Sequence, residues 1–394
     1  MTKKSLERNI KLYGWFQIMR EPLFWGPILI TYITNIGKMT LPEMYFMESI
    51  VVFGMIFVEI YSSAWADLLG RKKTVVLGSF LTLISIILFS LASSPMLIWV
   101  ANIFIMIGFA IISGTDEAFL VDGLKENGRF DEFTRINGRI MSRRFILIAI
   151  TSILSGYLYN INPRLPMFLS IPGVLVSLLI AFFFEESKRM QKASHKEHFE
   201  LMKISVLFVA NHKKVKWIIG YIALITVASK LWFFTYNPYF ELVEIDPKYF
   251  GWIFFVLNIV AWISSKYAYK VEQKMSELAV IIILIALIGI PLILMGTFVS
   301  YLAIGFIFLE NFTRGFREPF FSSFINKHLD SKNRATVLSI KAAARAFIHS
   351  ICLFLFGLVL ARWQLFESLQ VLGIVVLALG VISVWKYKKL FKNN

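Results

Sequence analysis

The chain has 394 residues, of which 57% are hydrophobic and only 17% charged, with a formal net charge of +16. That balance is too apolar for a soluble globular domain, and a single cysteine, Cys352, excludes disulfides and cysteine-rich metal sites. The basic excess sits in loops between apolar runs and is joined to no recognition module, so no nucleic-acid partner is expected.

Taken in chain order, the N-terminal MTKKSLERNIKLYGW is basic but lacks the short apolar core and small-residue cleavage site of a signal peptide. The first span is therefore expected to be retained. Runs of roughly 20 apolar residues, enough to cross a bilayer, are expected at 11–37, 43–66, 74–93, 95–122, 139–161 and 165–184. These form an N-terminal bundle over 1–184. A charged linker follows over 185–216, and its FELMKISVLFV segment has the helical periodicity of an amphipathic helix lying on the membrane. Further spans are expected at 217–240, 249–270, 277–297, 300–325, 336–361 and 365–386, giving a C-terminal bundle over 217–394. The fold class is thus an all-α integral membrane protein, with twelve transmembrane helices in two pseudo-symmetric six-helix bundles. Lys and Arg gather at both termini and in alternate loops, which puts both termini on the cytoplasmic side of the cell membrane.

The two halves repeat each other in sequence. Gly114, Glu117, Phe119, Arg144 and Gly156 match Gly315, Glu318, Phe320, Arg345 and Gly357 at a constant offset. Ser62, Ser63, Ala66 and Lys72 match Ser264, Ser265, Ala268 and Lys274 one residue out of that register. Parallel repeats of this kind build secondary transporters, with a site between repeats near the bilayer midplane.

Between the second and third spans the chain reads Ser63-Ala-Trp-Ala-Asp67-Leu-Leu-Gly70-Arg71-Lys72-Lys73. This resembles the conserved loop of the major facilitator superfamily, usually Gly-X-Leu-Ala-Asp-Arg-X-Gly-Arg-Lys. Asp67, Gly70, Arg71 and Lys72 match, while Ser63, Trp65 and Leu68 depart from it. Glu59-Ile60 is similar to the Glu-Ile that often precedes this loop in a bacterial and archaeal branch. The resemblance covers nearly the whole chain. It implies alternating access, with the loop aspartate helping to latch the cytoplasmic side, and with spans one, four, seven and ten lining the central cavity.

Charge at bilayer depth costs roughly 2.5–3.5 kcal/mol per residue on insertion scales, so each such residue needs a partner or a task. Near the cytoplasmic ends lie Glu117 and Asp122, then Arg139, Arg143 and Arg144, then Glu318, Lys341 and Arg345. The repeat sets Glu117 opposite Arg144 and Glu318 opposite Arg345, either as structural ion pairs or as an inner gate shared with Glu59, Asp67, Gly70, Arg71 and Lys72. Deeper, on the supposed cavity helices, lie Arg20, Glu21, Asp116, Lys230, Glu310 and Arg314. Glu310, Arg314 and Arg317 share one helical stripe, as do Lys341, Arg345 and His349.

No GxxxxGK[ST] loop is present, so ATP drive within this chain is not expected, and no constellation suggests an enzyme, a cofactor or a metal. A buried carboxylate is the expected proton coupler, Glu310 first, then Asp116 and Glu59. The resemblance implies an exporter of small molecules working as a monomer. The Gly-Pro-X-X-Gly-Gly motif of drug–proton antiporters is replaced here by SILSGYLYN. Lys230 and Arg314 favour an amphipathic anion or zwitterion over a lipophilic cation. The rivals are a multidrug-type antiporter, an uncoupled uniporter, and a membrane receptor or assembly factor that has lost transport.

Overall fold

Apolar runs become helices throughout the computed structural model, because in lipid each backbone N–H and C=O must find its partner inside its own segment. The structure describes residues 2–186, 211–328 and 331–391, with side chains omitted for Lys3, 60–69, Thr134, Asn326 and 331–342. The expected amphipathic helix of the linker lies outside the described residues, as do the side chains of Asp67 and Lys341.

The first segments are α1 (Lys3–Met19) and α2 (Leu29–Asn35). The Thr2 hydroxyl caps α1 by accepting from the Ser5 N–H at 3.2 Å. Pro22 and Pro27 separate the two helices, since proline has no N–H to donate. Next come α3 (Leu41–Leu69), α4 (Arg71–Leu91), α5 (Pro95–Ile112), α6 (Thr115–Glu126), α7 (Phe133–Ile161) and α8 (Leu165–Phe182). Gly114 breaks α5 from α6 in a left-handed conformation, φ +73°, that favours a residue without Cβ. After the linker, α9 (Lys213–Phe233) and α10 (Tyr236–Leu242) are parted by a turn at Phe234–Thr235. The chain then runs through α11 (Phe250–Lys274), α12 (Glu277–Thr297), α13 (Gly305–His328), α14 (Ser331–Arg362) and α15 (Leu365–Phe391).

Among the described residues, ten helical stretches are long and apolar enough to cross a membrane by length and composition. Two expected spans, 11–37 and 300–325, are not among them. The first is split into α1 and α2, and the second carries Glu310, Arg314, Arg317 and Glu318 on one helix.

The chain divides into two compact units, residues 1–40, 51–195 and 247–254 in one, and 41–50, 196–246 and 255–394 in the other. In the first unit, Leu6, Tyr13, Phe16, Phe119 and Phe184 belong to one apolar core, with Phe119 stacked on Phe184 at 4.5 Å. The start of α11 packs here: a Cβ on Gly156 would lie 2.7 Å from the Pro247 carbonyl oxygen, and Trp252 Nε1 donates to Tyr157 Oη at 3.0 Å. In the second unit, the start of α3 packs on α14 and α9. Ser350 Oγ donates to the Ser49 carbonyl at 2.9 Å, and Tyr45 Oη donates to the Leu231 carbonyl at 2.5 Å. Gly357, the repeat partner of Gly156, faces that same start, with Pro42 O 3.4 Å from its missing Cβ. Here the internal repeat is visible as packing, not only as sequence.

Candidate functional site

In the first unit the polar residues converge where α1 stops and α6 begins. The helix break at Gly114 restarts α6 so that Asp116 turns inward, 5% exposed. Its neighbour Glu117, about 100° further round the helix, is exposed. Asp116 Oδ2 accepts from Gln17 Nε2 at 2.6 Å and forms an ion pair with Arg20 Nη1, while Oδ1 accepts the Glu117 N–H at 2.9 Å. Gln17 also donates to Tyr13 Oη at 2.7 Å. One turn away, Arg144 Nη2 pairs with Glu21 Oε1. Tyr13, Gln17, Arg20, Glu21, Asp116 and Glu117 border a cavity of about 330 Å³ shared with Asn137 and Met141.

That geometry corrects one expected pair. Arg144 does not meet Glu117; it meets Glu21, because the proline break after α1 leaves Glu21 beside α7 while α6 turns Glu117 outward. Lower in the unit, Arg71 Nη2 pairs with Asp122 Oδ2 at 2.9 Å. The Glu186 carboxylate accepts the backbone N–H groups of Arg71 and Lys72 at 2.8 and 3.0 Å, capping the start of α4 just after Gly70. Glu186 is a capping residue that the sequence did not single out. Glu59 is exposed on α3.

The second unit treats its charges differently. Glu310 is 1% exposed and is held by two hydroxyls, Ser229 Oγ on Oε1 and Tyr236 Oη on Oε2. Asn311 Nδ2 supports that cage by donating to Tyr236 Oη at 3.2 Å. The break between α9 and α10 lies beside the cage and brings Tyr236 within reach of α13. Arg314 is not the partner of Glu310; its Nη2 donates to Asn258 Oδ1 at 2.8 Å, one helical turn of α13 carrying it to α11.

Of the two arginines on this stripe, Arg317 is the one within electrostatic reach of Lys230. It is 9% exposed, and its Nε and Nη1 have no hydrogen-bond partner. Lys230 lies within electrostatic reach of both Arg317 and Arg345. Buried His349, 4% exposed with Nε2 unpartnered, lies within reach of Lys230 and Arg345. Glu48 acts on Lys230, and Glu310 and Glu318 act on Arg317, through their charges. Among the described residues, no carboxylate lies within 4.0 Å of the charged nitrogens of Lys230, Arg317 or Arg345. Arg345 therefore joins a cluster of cations and forms no pair with Glu318, which is exposed. Ser229 and Asn311 were legible only as polar neighbours of Lys230 and Glu310. Gln17 carried no signal beyond being polar in an apolar run.

A family model described as Major Facilitator Superfamily matches residues 23–351. A Bacillus subtilis (strain 168) chain, YxaM, described as an uncharacterized MFS-type transporter, is 20% identical over 379 residues, covering 90% of this chain and 89% of that one. The crystal structure of the nucleoside transporter NupG superposes with a TM-score of 0.71 at 14% identity, covering 99% of this chain and all of that one. A POT family transporter in complex with 5-aminolevulinic acid gives 0.70 at 14% identity, with 98% and 97% covered. A D-xylose-proton symporter gives 0.67 at 11%, with 98% of each chain covered. At such identities these structures share the fold alone.

Proposed function

The chain belongs to the major facilitator superfamily, a multi-pass membrane transporter and not an enzyme, and from that premise we propose that it carries an organic anion or zwitterion coupled to a proton. The observation that carries this reading is the grouping of Lys230, Arg317 and Arg345 without a carboxylate in ion-pair reach, beside a carboxyl caged by hydroxyls. Like charges brought together repel, most strongly where water is excluded, as around buried Arg317, and a substrate carboxylate or phosphate would relieve that repulsion. Arg317 supplies N–H groups on Nε and Nη1 that have no partner in the protein and can donate to an oxyanion.

Glu310 is the proposed proton carrier. Ser and Tyr hydroxyls can donate to a carboxylate or accept from a carboxylic acid, so its cage satisfies both protonation states. A lipophilic cation is disfavoured, because the unpaired charge of this cluster is positive. In the first unit, the paired Arg20–Asp116 and Arg144–Glu21 groups, with Arg71–Asp122 below them, act as the charged framework that must rearrange between states. Placement in the cell membrane with both termini cytoplasmic follows from the basic loops. Export is the direction implied by the bacterial and archaeal branch that the loop resembles.

The test is proton flux in proteoliposomes carrying a pH-sensitive dye, challenged with 5-aminolevulinic acid, a dipeptide, a nucleoside and D-xylose under an imposed substrate gradient. Alkalinisation or acidification driven by an anion or zwitterion, and lost in Glu310→Gln, supports the reading. The sign of the proton movement relative to the substrate separates symport from antiport. Flux of an uncharged compound that ignores the pH gradient and survives Glu310→Gln would make this a uniporter.

A further inference from the structure

The outer face of the second unit carries a groove of about 740 Å³ between α9 and α15, away from the polar cluster. Lys213 and Lys216 stand on one wall at its mouth, Lys386 and Lys389 on the other. Both pairs have the i, i+3 spacing that puts two side chains on one helical face. No acidic residue lines the groove, and among the described residues none of the four lysines has a carboxylate within 4.0 Å.

Seven residues deeper on either helix, about 10 Å along the axis, the lining changes. Gly220 and Leu224 face the groove from α9, and Leu379 and Ile382 from α15. The helices run antiparallel here, tied by Trp217 Nε1 donating to the Ser383 carbonyl at 2.8 Å, so their basic ends share one level. Exposed Trp385, with the Lys389 Nζ 5.6 Å from its ring centroid, stands at that level, where amphipathic aromatics favour a membrane interface.

Gly220 is the unusual residue. It sits inside a long helix, where glycine is a weak choice, is exposed, and a Cβ added to it would meet nothing within 4 Å. No helix packs against it, so close packing does not require it. Its effect is to deepen the floor of the groove.

We propose that this groove is a binding site for an anionic phospholipid, headgroup phosphate on the lysine pairs and one acyl chain along the floor past Gly220. Two lysine pairs on facing walls suit a lipid with two phosphates. A basic mouth over an apolar floor, repeated on both helices, matches an amphipathic anion, whereas a free phosphate would gain nothing from the floor. Basic clefts between transmembrane helices at the cytoplasmic level are suited to such lipids.

The experiment is a thermal-shift titration of the purified full chain in detergent with diphosphatidylglycerol, phosphatidylglycerol and phosphatidylcholine, with bound lipid counted by native mass spectrometry. The wild type is expected to be stabilised by the anionic lipids, most by diphosphatidylglycerol, and not by phosphatidylcholine. Gly220→Leu fills the floor while keeping every charge, and is expected to weaken apparent diphosphatidylglycerol affinity at least tenfold. Leu379→Trp, at an exposed position on the opposite wall, is expected to do the same and serves if Gly220→Leu does not fold. Replacing Lys213, Lys216, Lys386 and Lys389 by Gln should reduce the response to the phosphatidylcholine level. Undiminished diphosphatidylglycerol binding by folded Gly220→Leu or Leu379→Trp would overturn the site and assign the attraction to the general basic surface.

Discussion

In the first unit each deep charge has found its opposite: Arg20 meets Asp116, Arg144 meets Glu21 and Arg71 meets Asp122. In the second, Glu310 meets only hydroxyls, Arg314 meets an amide, and Lys230, Arg317 and Arg345 gather without an anion in ion-pair reach. The sequence repeat runs through both clusters, since Glu117 and Arg144 correspond to Glu318 and Arg345. One repeated sequence pattern thus carries a neutralised network in one unit and an open cluster in the other. A neutralised network holds its shape. An open cluster holds like charges that a bound anion would stabilise, and the proposed function rests on that difference.

This contrast can be broken most forcefully in the first unit. Removing one member of a buried pair leaves an uncompensated charge, at a cost of roughly 3–5 kcal/mol. Asp116→Ala should therefore lower the melting temperature sharply, and Arg20→Leu with Asp116→Leu should recover much of that loss. If Asp116→Ala melts like the wild type, the pair is not holding the unit together.

In the second unit the same kind of change should leave stability almost untouched and damage function instead. Arg317→Gln is expected to alter stability by less than about 1 kcal/mol, or to raise it, because a repelling cation is removed. It should weaken binding of an anionic ligand tenfold or more, about 1.4 kcal/mol, as read by isothermal titration. Glu310→Gln keeps the shape of the cage and should abolish acceleration of flux by a pH gradient, while substrate exchange at equal pH continues.

A smaller loss of stability than at Asp116 is expected at Gly114. With φ at +73°, Gly114→Ala should cost about 1–2 kcal/mol, seen as a modest drop in melting temperature. Its repeat partner Gly315 has an ordinary helical conformation, but a Cβ there would lie 1.9 Å from the Ala261 carbonyl oxygen. Gly315→Ala should therefore force α13 away from α11, and exceed Gly114→Ala in damage.

Helices and the internal repeat were legible in the sequence because apolar length and matched polar residues are local properties. The deep charges were legible for the same reason, since each stands out in an apolar run. Their partners were not. Equal depth suggested Glu117 with Arg144, but partner choice depends on helix rotation, and Gly114 resets the rotation of α6 so that Asp116 points inward. The proline break at 22–27 likewise brings Glu21 to Arg144, which no spacing along the chain reveals. On α13, the stripe of Glu310, Arg314 and Arg317 was visible, but which arginine would face Lys230 depended on how α13 sits against α11. Gly114 and Gly315 look equivalent in the repeat, although one supplies a turn and the other a close contact.

The most direct test of the open cluster compares thermal stabilisation of wild type, Lys230→Gln and Arg317→Gln by 5-aminolevulinic acid, organic dicarboxylates, lipophilic cations and neutral sugars. A ligand bound only by the folded state raises the melting temperature by mass action. The expected result is stabilisation of the wild type by an anion or zwitterion, lost in both variants, whose own melting temperatures stay near that of the wild type. Stabilisation by lipophilic cations that persists in both variants would contradict it.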